Sequence, residues 1–183
     1  EEAGWWFAHR KIRQIPLGVR RNIEVNGFIE AWQANGIARD KLPLMNFRRH
    51  AHRDVAEANV VDNFNGTVRN EYNDQQQHQH QKHGPKTKDC KTIRGQCDAQ
   101  KAYYASVLAS KFVLSPFGSK ADCHRHWEIL LLGAIPVMIS SPPLYELFHG
   151  LPAVFVTSWA EVTPERLTYE LSRYKQRSHF DWD

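Results

Sequence analysis

The sequence predicts an α/β fold: a parallel sheet with helices on both faces. Three observations carry this. Phe112-Val113-Leu114, Ile135 to Ile139 and Ala153 to Val156 are short and wholly apolar, the pattern of strands covered on both sides. Helical segments alternate with them, as parallel crossover units require. The composition, 42% hydrophobic and 24% charged, is that of a folded chain carrying some polar excess. Together these describe a Rossmann-like sheet.

From the N-terminus, Lys11 to Leu17 reads as a short strand ending in Pro16-Leu17-Gly18. Phe28 to Ala34 reads as a helix stopped by Gly36. Leu42 to Phe47 reads as a strand, with Pro43 tolerated only at its beginning. From Asp54 to Phe64, Val55, Ala58, Val61 and Phe64 recur every third residue, which places them along one helix face. Gly66 makes a turn, and Thr67 to Tyr72 reads as a further strand. The run from Gln75 to His83 alternates glutamine and histidine and has nothing to bury. It marks a disordered polar insertion over about 73–97. His78, His80 and His83 are potential metal ligands. A metal site needs ligands held in place by hydrogen bonds, so a solvated insertion is the expected reading.

Asp98 is a potential N-cap for a helix with Ala99, Ala102, Tyr103 and Val107 on one face. Ser115 to Ala121 forms the loop after the first apolar strand. Asp122 is expected to cap a helix through Leu132 that Gly133 terminates. Within it, Trp127 and Leu130 to Leu132 are expected in the core. Pro142-Pro143 opens a helical turn around Leu144 to Leu147. Thr163-Pro164-Glu165 starts the last helix, with Thr as cap and Pro in the first turn. That helix runs to about Tyr174, and Trp159 is expected to pack it against the sheet.

The formal charge of +4 over 183 residues suits an anionic ligand. No long Lys/Arg run exists, and the aromatic residues are not interleaved with a basic stripe, which speaks against nucleic acid as a partner. No apolar stretch approaches the ~20 residues of a membrane span. No signal peptide is visible at Glu1, and the chain opens in mid-pattern at Trp5, Trp6 and Phe7, as a piece of a longer protein would. The cysteines are Cys90, Cys97 and Cys123, and an odd count argues against a disulfide framework. Cys90 and Cys97 can pair in an oxidising lumen or remain thiols. Asn65-Gly66-Thr67 is an N-glycosylation sequon.

Ligands of parallel sheets bind where strands end and loops lead into helices, so function is sought in the loop after Leu114. Gly118 lets a ligand approach the backbone closely. The following helix turns its free N–H groups and positive dipole end toward the same space. Arg125 lies in the first turn of that helix, and its planar fork suits a diphosphate. Glu128, three residues on, shares its face and can accept hydrogen bonds from ribose hydroxyls. The same two residues read equally well as a helix-surface ion pair.

The segment Ser115-Pro116-Phe117-Gly118, followed by Asp122-Cys123-His124-Arg125-His126-Trp127-Glu128 and then by Gly133-Ala134-Ile135-Pro136-Val137, resembles the donor-binding motif of exostosin-like glycosyltransferases. It is most similar to the ribitol-phosphate-xylosyltransferase-like group. Ile15-Pro16-Leu17-Gly18, Met45-Asn46-Phe47, Arg53 at a helix start, Leu151-Pro152 and Ser158-Trp159 follow the same order. The likeness spans about Lys11 to Tyr174.

The resemblance implies a GT-B glycosyltransferase that uses a nucleotide-sugar donor, a UDP-sugar first among them, and a glycan or glycoprotein acceptor. Residues 1–41 would be the end of the acceptor domain and the linker, and 42–183 the donor-binding domain. Arg125 and Glu128 would be the catalytic pair, Arg125 on the leaving diphosphate and Glu128 on the ribose. Ser115, Pro116, Gly118, Asp122 and His124 would line the donor pocket, and Asn46 and Arg48 would face the same cleft or form a structural turn. His124 is expected there, or in a structural role, rather than as the base. Cys123 is expected as a small buried residue. No metal or other cofactor is expected, and a Golgi or secretory lumen follows from the resemblance and the sequon.

The loop departs from the family at Gly118-Ser119-Lys120, where Gly-Asn-Gly is usual. His126 stands where Thr is common, and Ile129 where Ala is. These departures keep an alternative open, a non-catalytic nucleotide- or glycan-binding module.

Overall fold

The computed structural model describes residues 15–19, 38–40, 43–48, 50–72 and 98–176. The helix expected over Phe28 to Ala34, the polar insertion with its histidines, and Cys90 and Cys97 lie outside these residues. Of the expected N-terminal strand, the described part, Ile15 to Leu17, is not in a sheet.

Three strands pair in parallel in the order β1 (Phe112–Leu114), β2 (Ile135–Ile139) and β3 (Val154–Val156). Val113 sits opposite Pro136, and Val137 opposite Val154. Pro136 is tolerated in the central strand because of its position. Ile135 N–H and Val137 C=O bond toward β1, so position 136 faces β3, whose pairing begins one residue later. Beyond β1 the sheet is continued by two isolated parallel bridges, Leu44 to Val113 and Met45 to Asn70. The strands expected over Leu42 to Phe47 and Thr67 to Tyr72 therefore shrink to single bridges. Two residues further along, at Phe47, the Asn70 side chain takes the ladder's place. Its Oδ1 accepts from Phe47 N–H at 3.2 Å and its Nδ2 donates to Phe47 C=O at 2.9 Å.

Alternation along the strands divides the core. Phe112, Leu114, Ile135, Val137, Val154 and Val156 face one side, with α1 (Ala51–Asn63) and α5 (Pro164–Gln176). Val113 faces the other, against α2 (Asp98–Leu108) and α3 (His124–Leu131). Met138 and Phe155 face that side too, against α3 and α4 (Pro142–Leu147). The α/β architecture with helices on both faces is thus present. Among the described residues, no helix is long and apolar enough to cross a membrane.

Two helix-face expectations are corrected. In α1 the buried positions are Ala56 and Val60, continued by Phe64, whereas Val55 is 55% exposed and Ala58 is exposed. Steps of three residues at about 100° each drift backward, so Val55 and Phe64 end on opposite sides of the helix. In α2 the core takes Tyr104, Val107 and Leu108, while Ala102 and Tyr103 are only half-buried. Asp98 is the first residue of α2 rather than its cap.

Leu131, expected in the core, is 43% exposed at the end of α3. Pro142 opens α4, and Thr163 Oγ1 accepts from Arg166 N–H at the start of α5. α5 continues past Tyr174, whose hydroxyl donates to Ala153 C=O and accepts from Ala153 N–H. Glu170, nearly fully buried, is held by Arg166 and Arg173 at 2.9 Å each. Trp159 packs with Leu167 of α5, as expected, and with Val60 of α1 and Phe64 just after it in the same cluster.

Gly133 ends α3 with φ +73°. The Arg39 guanidinium passes close by, donating to Leu132 C=O at 2.8 Å and Ser110 C=O at 3.1 Å. Burial lowers its pKa to about 10. A Cβ at 133 would stand 2.7 Å from Arg39 Nη2. Gly133→Ala is expected to cost about 2 kcal/mol, from left-handed backbone strain and displacement of this arginine. Urea unfolding checks it, and an unchanged midpoint would refute it.

Candidate functional site

At the C-terminal ends of the strands lies a cleft of about 430 Å³. It is lined by loop residues 116–121, by Ile139 at the end of β2, by Trp159 after β3 and by His52 from the start of α1. This is the edge of a parallel sheet where ligands bind. The loop belongs to the motif singled out in the sequence.

The loop's two ends are stapled by one side chain. His126 Nε2 lies 2.9 Å from Ala121 C=O, and its Nδ1 lies 2.6 Å from Ser115 Oγ. A carbonyl only accepts, so Nε2 carries the proton and Nδ1 accepts from the Ser115 hydroxyl. Burial pushes the imidazole down to about 4, so it is neutral near pH 7. Both side chains are fully buried, which closes this serine–histidine pair to a substrate and makes it a fastening. Ser115 N–H adds a bond to Val137 C=O at 2.8 Å.

The start of α1 holds the middle of the loop. Phe117 C=O accepts from Arg53 Nε at 3.2 Å, Arg53 Nη2 at 2.9 Å and His52 Nε2 at 3.0 Å. His52 Nδ1 lies 2.9 Å from His50 Nδ1, within hydrogen-bond reach. Arg53 Nη1 reaches Arg48 C=O at 3.3 Å. From the other side, Arg125 Nη1 reaches Pro116 C=O at 3.4 Å. Burial first, and then the charge of Arg125, lower the pKa of Arg53, so the two guanidiniums sit within electrostatic reach of each other. Among the described residues, neither forms an ion pair with a carboxylate. Two cations at adjacent carbonyls, drawn from different helices, leave a shared demand for an anion.

Of the residues predicted from sequence, Pro116 and Gly118 line the cleft. Neither φ nor crowding among the described residues requires glycine at 118, because a Cβ there would meet Cys123 Cβ at 3.5 Å, an ordinary contact. Ser115 lies beneath the loop. Arg125 stands behind it, half-buried. Glu128 is only 3% exposed, so it is not a surface residue, and it is not part of the cleft lining. It and Arg125 both act electrostatically on Tyr103 of α2, whose phenol is raised by burial. The Tyr103 hydroxyl is buried with no hydrogen-bond partner among the described residues.

Asn46 is buried, and its Nδ2 has no partner there either. The Arg48 side chain is exposed, and its carbonyl serves Arg53.

Asp122 and His124 are engaged elsewhere. The cap of α3 is Cys123, not Asp122, and its side chain makes no cap hydrogen bond. Asp122 instead accepts from Leu17 N–H at 2.7 Å and from Trp127 Nε1 at 2.8 Å. His124 Nδ1 donates to Gly18 C=O at 2.8 Å. The two residues thus fasten the Ile15–Val19 segment to the start of α3. Cys123 is a free thiol whose pKa is raised by burial, which leaves it a weak nucleophile.

No protein-family model and no curated protein matches the chain. Among the described residues, no group of three or more His, Cys, Asp or Glu side chains is placed to hold a metal ion.

The structure adds His52 and the loop-fastening roles of His126 and Arg53 to the residues legible in the sequence. Arg53 was visible as a helix start. That α1 docks across a loop some 60 residues away was not, since no local pattern encodes it.

Proposed function

We propose that this chain is the donor-binding part of a glycosyltransferase that uses a nucleoside-diphosphate sugar, with the diphosphate taken between Arg53 and Arg125 over the Ser115–Ala121 loop. The convergence of those two guanidiniums on adjacent carbonyls, with no carboxylate paired to either among the described residues, carries the reading. The diphosphate would supply the missing negative charge and take bidentate hydrogen bonds. The same charges would favour the departing diphosphate during transfer, when negative charge grows on it. The cleft beside the loop offers Phe117 and Trp159 as flat apolar surface and Lys120 as a further cation at its rim. In this reading Glu128 and Tyr103 take the ribose only if the sugar enters between α2 and α3. A Golgi or secretory setting and a glycan acceptor belong to the same proposal.

The test is a thermal-shift panel with UDP, GDP, CMP and ADP. One diphosphate is expected to raise the melting temperature. Arg125→Ala and Arg53→Gln, each with its ligand-free melting temperature as a folding control, are expected to weaken that nucleotide at least roughly tenfold. A folded chain indifferent to every nucleotide would overturn the proposal. Glu128→Gln addresses the ribose assignment, and a nucleoside affinity left unchanged would remove it.

A further inference from the structure

We infer that Asn65 carries an N-linked oligosaccharide, an inference that rests on the secretory setting proposed above. The sequon Asn65-Gly66-Thr67 lies on the turn after α1, and all three residues are exposed. The transferase that installs such glycans reads the extended sequon before folding. The fold decides only whether the product is tolerated. Here it is tolerated on two independent grounds.

The first is the amide itself. Neighbouring asparagines commit their side-chain nitrogens to the fold: Asn59 Nδ2 donates to Val55 C=O, Asn63 Nδ2 to Ala160 and Val162 C=O, and Asn70 Nδ2 to Phe47 C=O and Glu57. Among the described residues, nothing bonds the amide of Asn65. Its structural task is done by the backbone, at φ +51°. Asn65 N–H bonds Asp62 C=O and Gly66 N–H bonds Val61 C=O, which closes the helix end. A sugar on Nδ2 disturbs none of this. Thr67 Oγ1 does bond Phe64 C=O, but only once the chain has folded.

The second ground is location. His52, at the start of α1, lines the cleft, and α1 has 13 residues. At 1.5 Å per residue the helix carries Asn65 roughly 20 Å away. A glycan there leaves the cleft open and stands among exposed polar neighbours, Asp62 and Arg69. The modification is a displacement. Asn65 Nδ2 forms a bond to the anomeric carbon of a lipid-diphosphate oligosaccharide. The carbon–oxygen bond to phosphate breaks, and the lipid diphosphate leaves with the electron pair. The amide proton passes to a base of the transferase.

The chain is produced behind a cleavable secretory leader in cultured animal cells. Peptide mass spectrometry is read on cell-associated and secreted chain alike, before and after peptide-N-glycosidase treatment. A glycopeptide at Asn65 is expected in most molecules, with aspartate at 65 after enzymatic release. Thr67→Ala is expected to abolish the glycan and Thr67→Ser to retain it. Asn65→Gly, which suits the left-handed backbone, is expected to lose the glycan while keeping the melting temperature of the unglycosylated chain. Recovery of the Asn65 peptide as unmodified asparagine in folded chain would overturn the inference.

Discussion

Asn70→Ala is expected to lower the unfolding free energy by about 3 kcal/mol and the melting temperature by roughly 10 °C. The Asn70 side chain uses all of its ordinary capacity. Oδ1 accepts from Phe47 and Tyr72 N–H, both at 3.2 Å, and Nδ2 donates to Phe47 C=O and to Glu57 Oε2 at 3.0 Å. Phe47 is fully buried, so truncation leaves its N–H and C=O without partner or water. Each such orphan costs about 1–3 kcal/mol. The damage travels, because Phe47 precedes the turn that aims Arg53 at the motif loop. Nucleotide affinity should therefore fall along with stability. Asn70→Asp supplies a control with a different sign of pH dependence. It faces Glu57 Oε2 and a carbonyl with a carboxylate instead of a donor, so it should be worse near pH 7 than near pH 4. Chemical denaturation of both variants decides the matter, and a loss under 1 kcal/mol for the alanine would show that the sheet edge closes without this side chain.

Acidification from pH 6.5 to 4 is expected to cost the folded chain about 3 kcal/mol through His126 alone. Its ordinary value is 6.5, and burial lowers it to about 4 in the fold. Between those values the unfolded chain holds a proton that the folded chain refuses. Stability therefore rises with pH in this window. The contribution is complete above 6.5 and is lost progressively as pH falls toward 4, at about 1.4 kcal/mol per pH unit. Protonation also removes the acceptor at Nδ1, so the Ser115 end of the loop comes free. His126→Gln keeps a donor and an acceptor but does not titrate. Its unfolding midpoint is expected to vary less with pH than that of the parent, with the difference confined to the window between 4 and 6.5. Parallel curves for the two proteins would refute the assignment.

Much of this molecule was legible in its sequence. Wholly apolar segments at 112–114, 135–139 and 153–156 announced a parallel sheet, because a strand covered on both sides has no use for alternation. Thr163-Pro164, Pro142-Pro143 and Gly133 marked helix ends, since capping, fixed φ and positive φ are local demands that particular residues meet. The motif loop after Leu114 was correctly placed at the strand ends. These features depend on neighbours a few residues away, and a sequence states those directly.

The tertiary structure decided what lies across space. It set the face of α1, where spacing by threes misled and packing against the sheet selected Ala56, Val60 and Phe64. It assigned Asp122 and His124 to the Ile15–Val19 segment, because a carboxylate and an imidazole bond whatever backbone the fold brings to them. It made His126 a staple across the loop and set Arg53 beside Arg125. A hydrogen bond or a like-charge pair spanning many residues leaves no periodic trace, since its energy depends on a distance that only the folded chain defines.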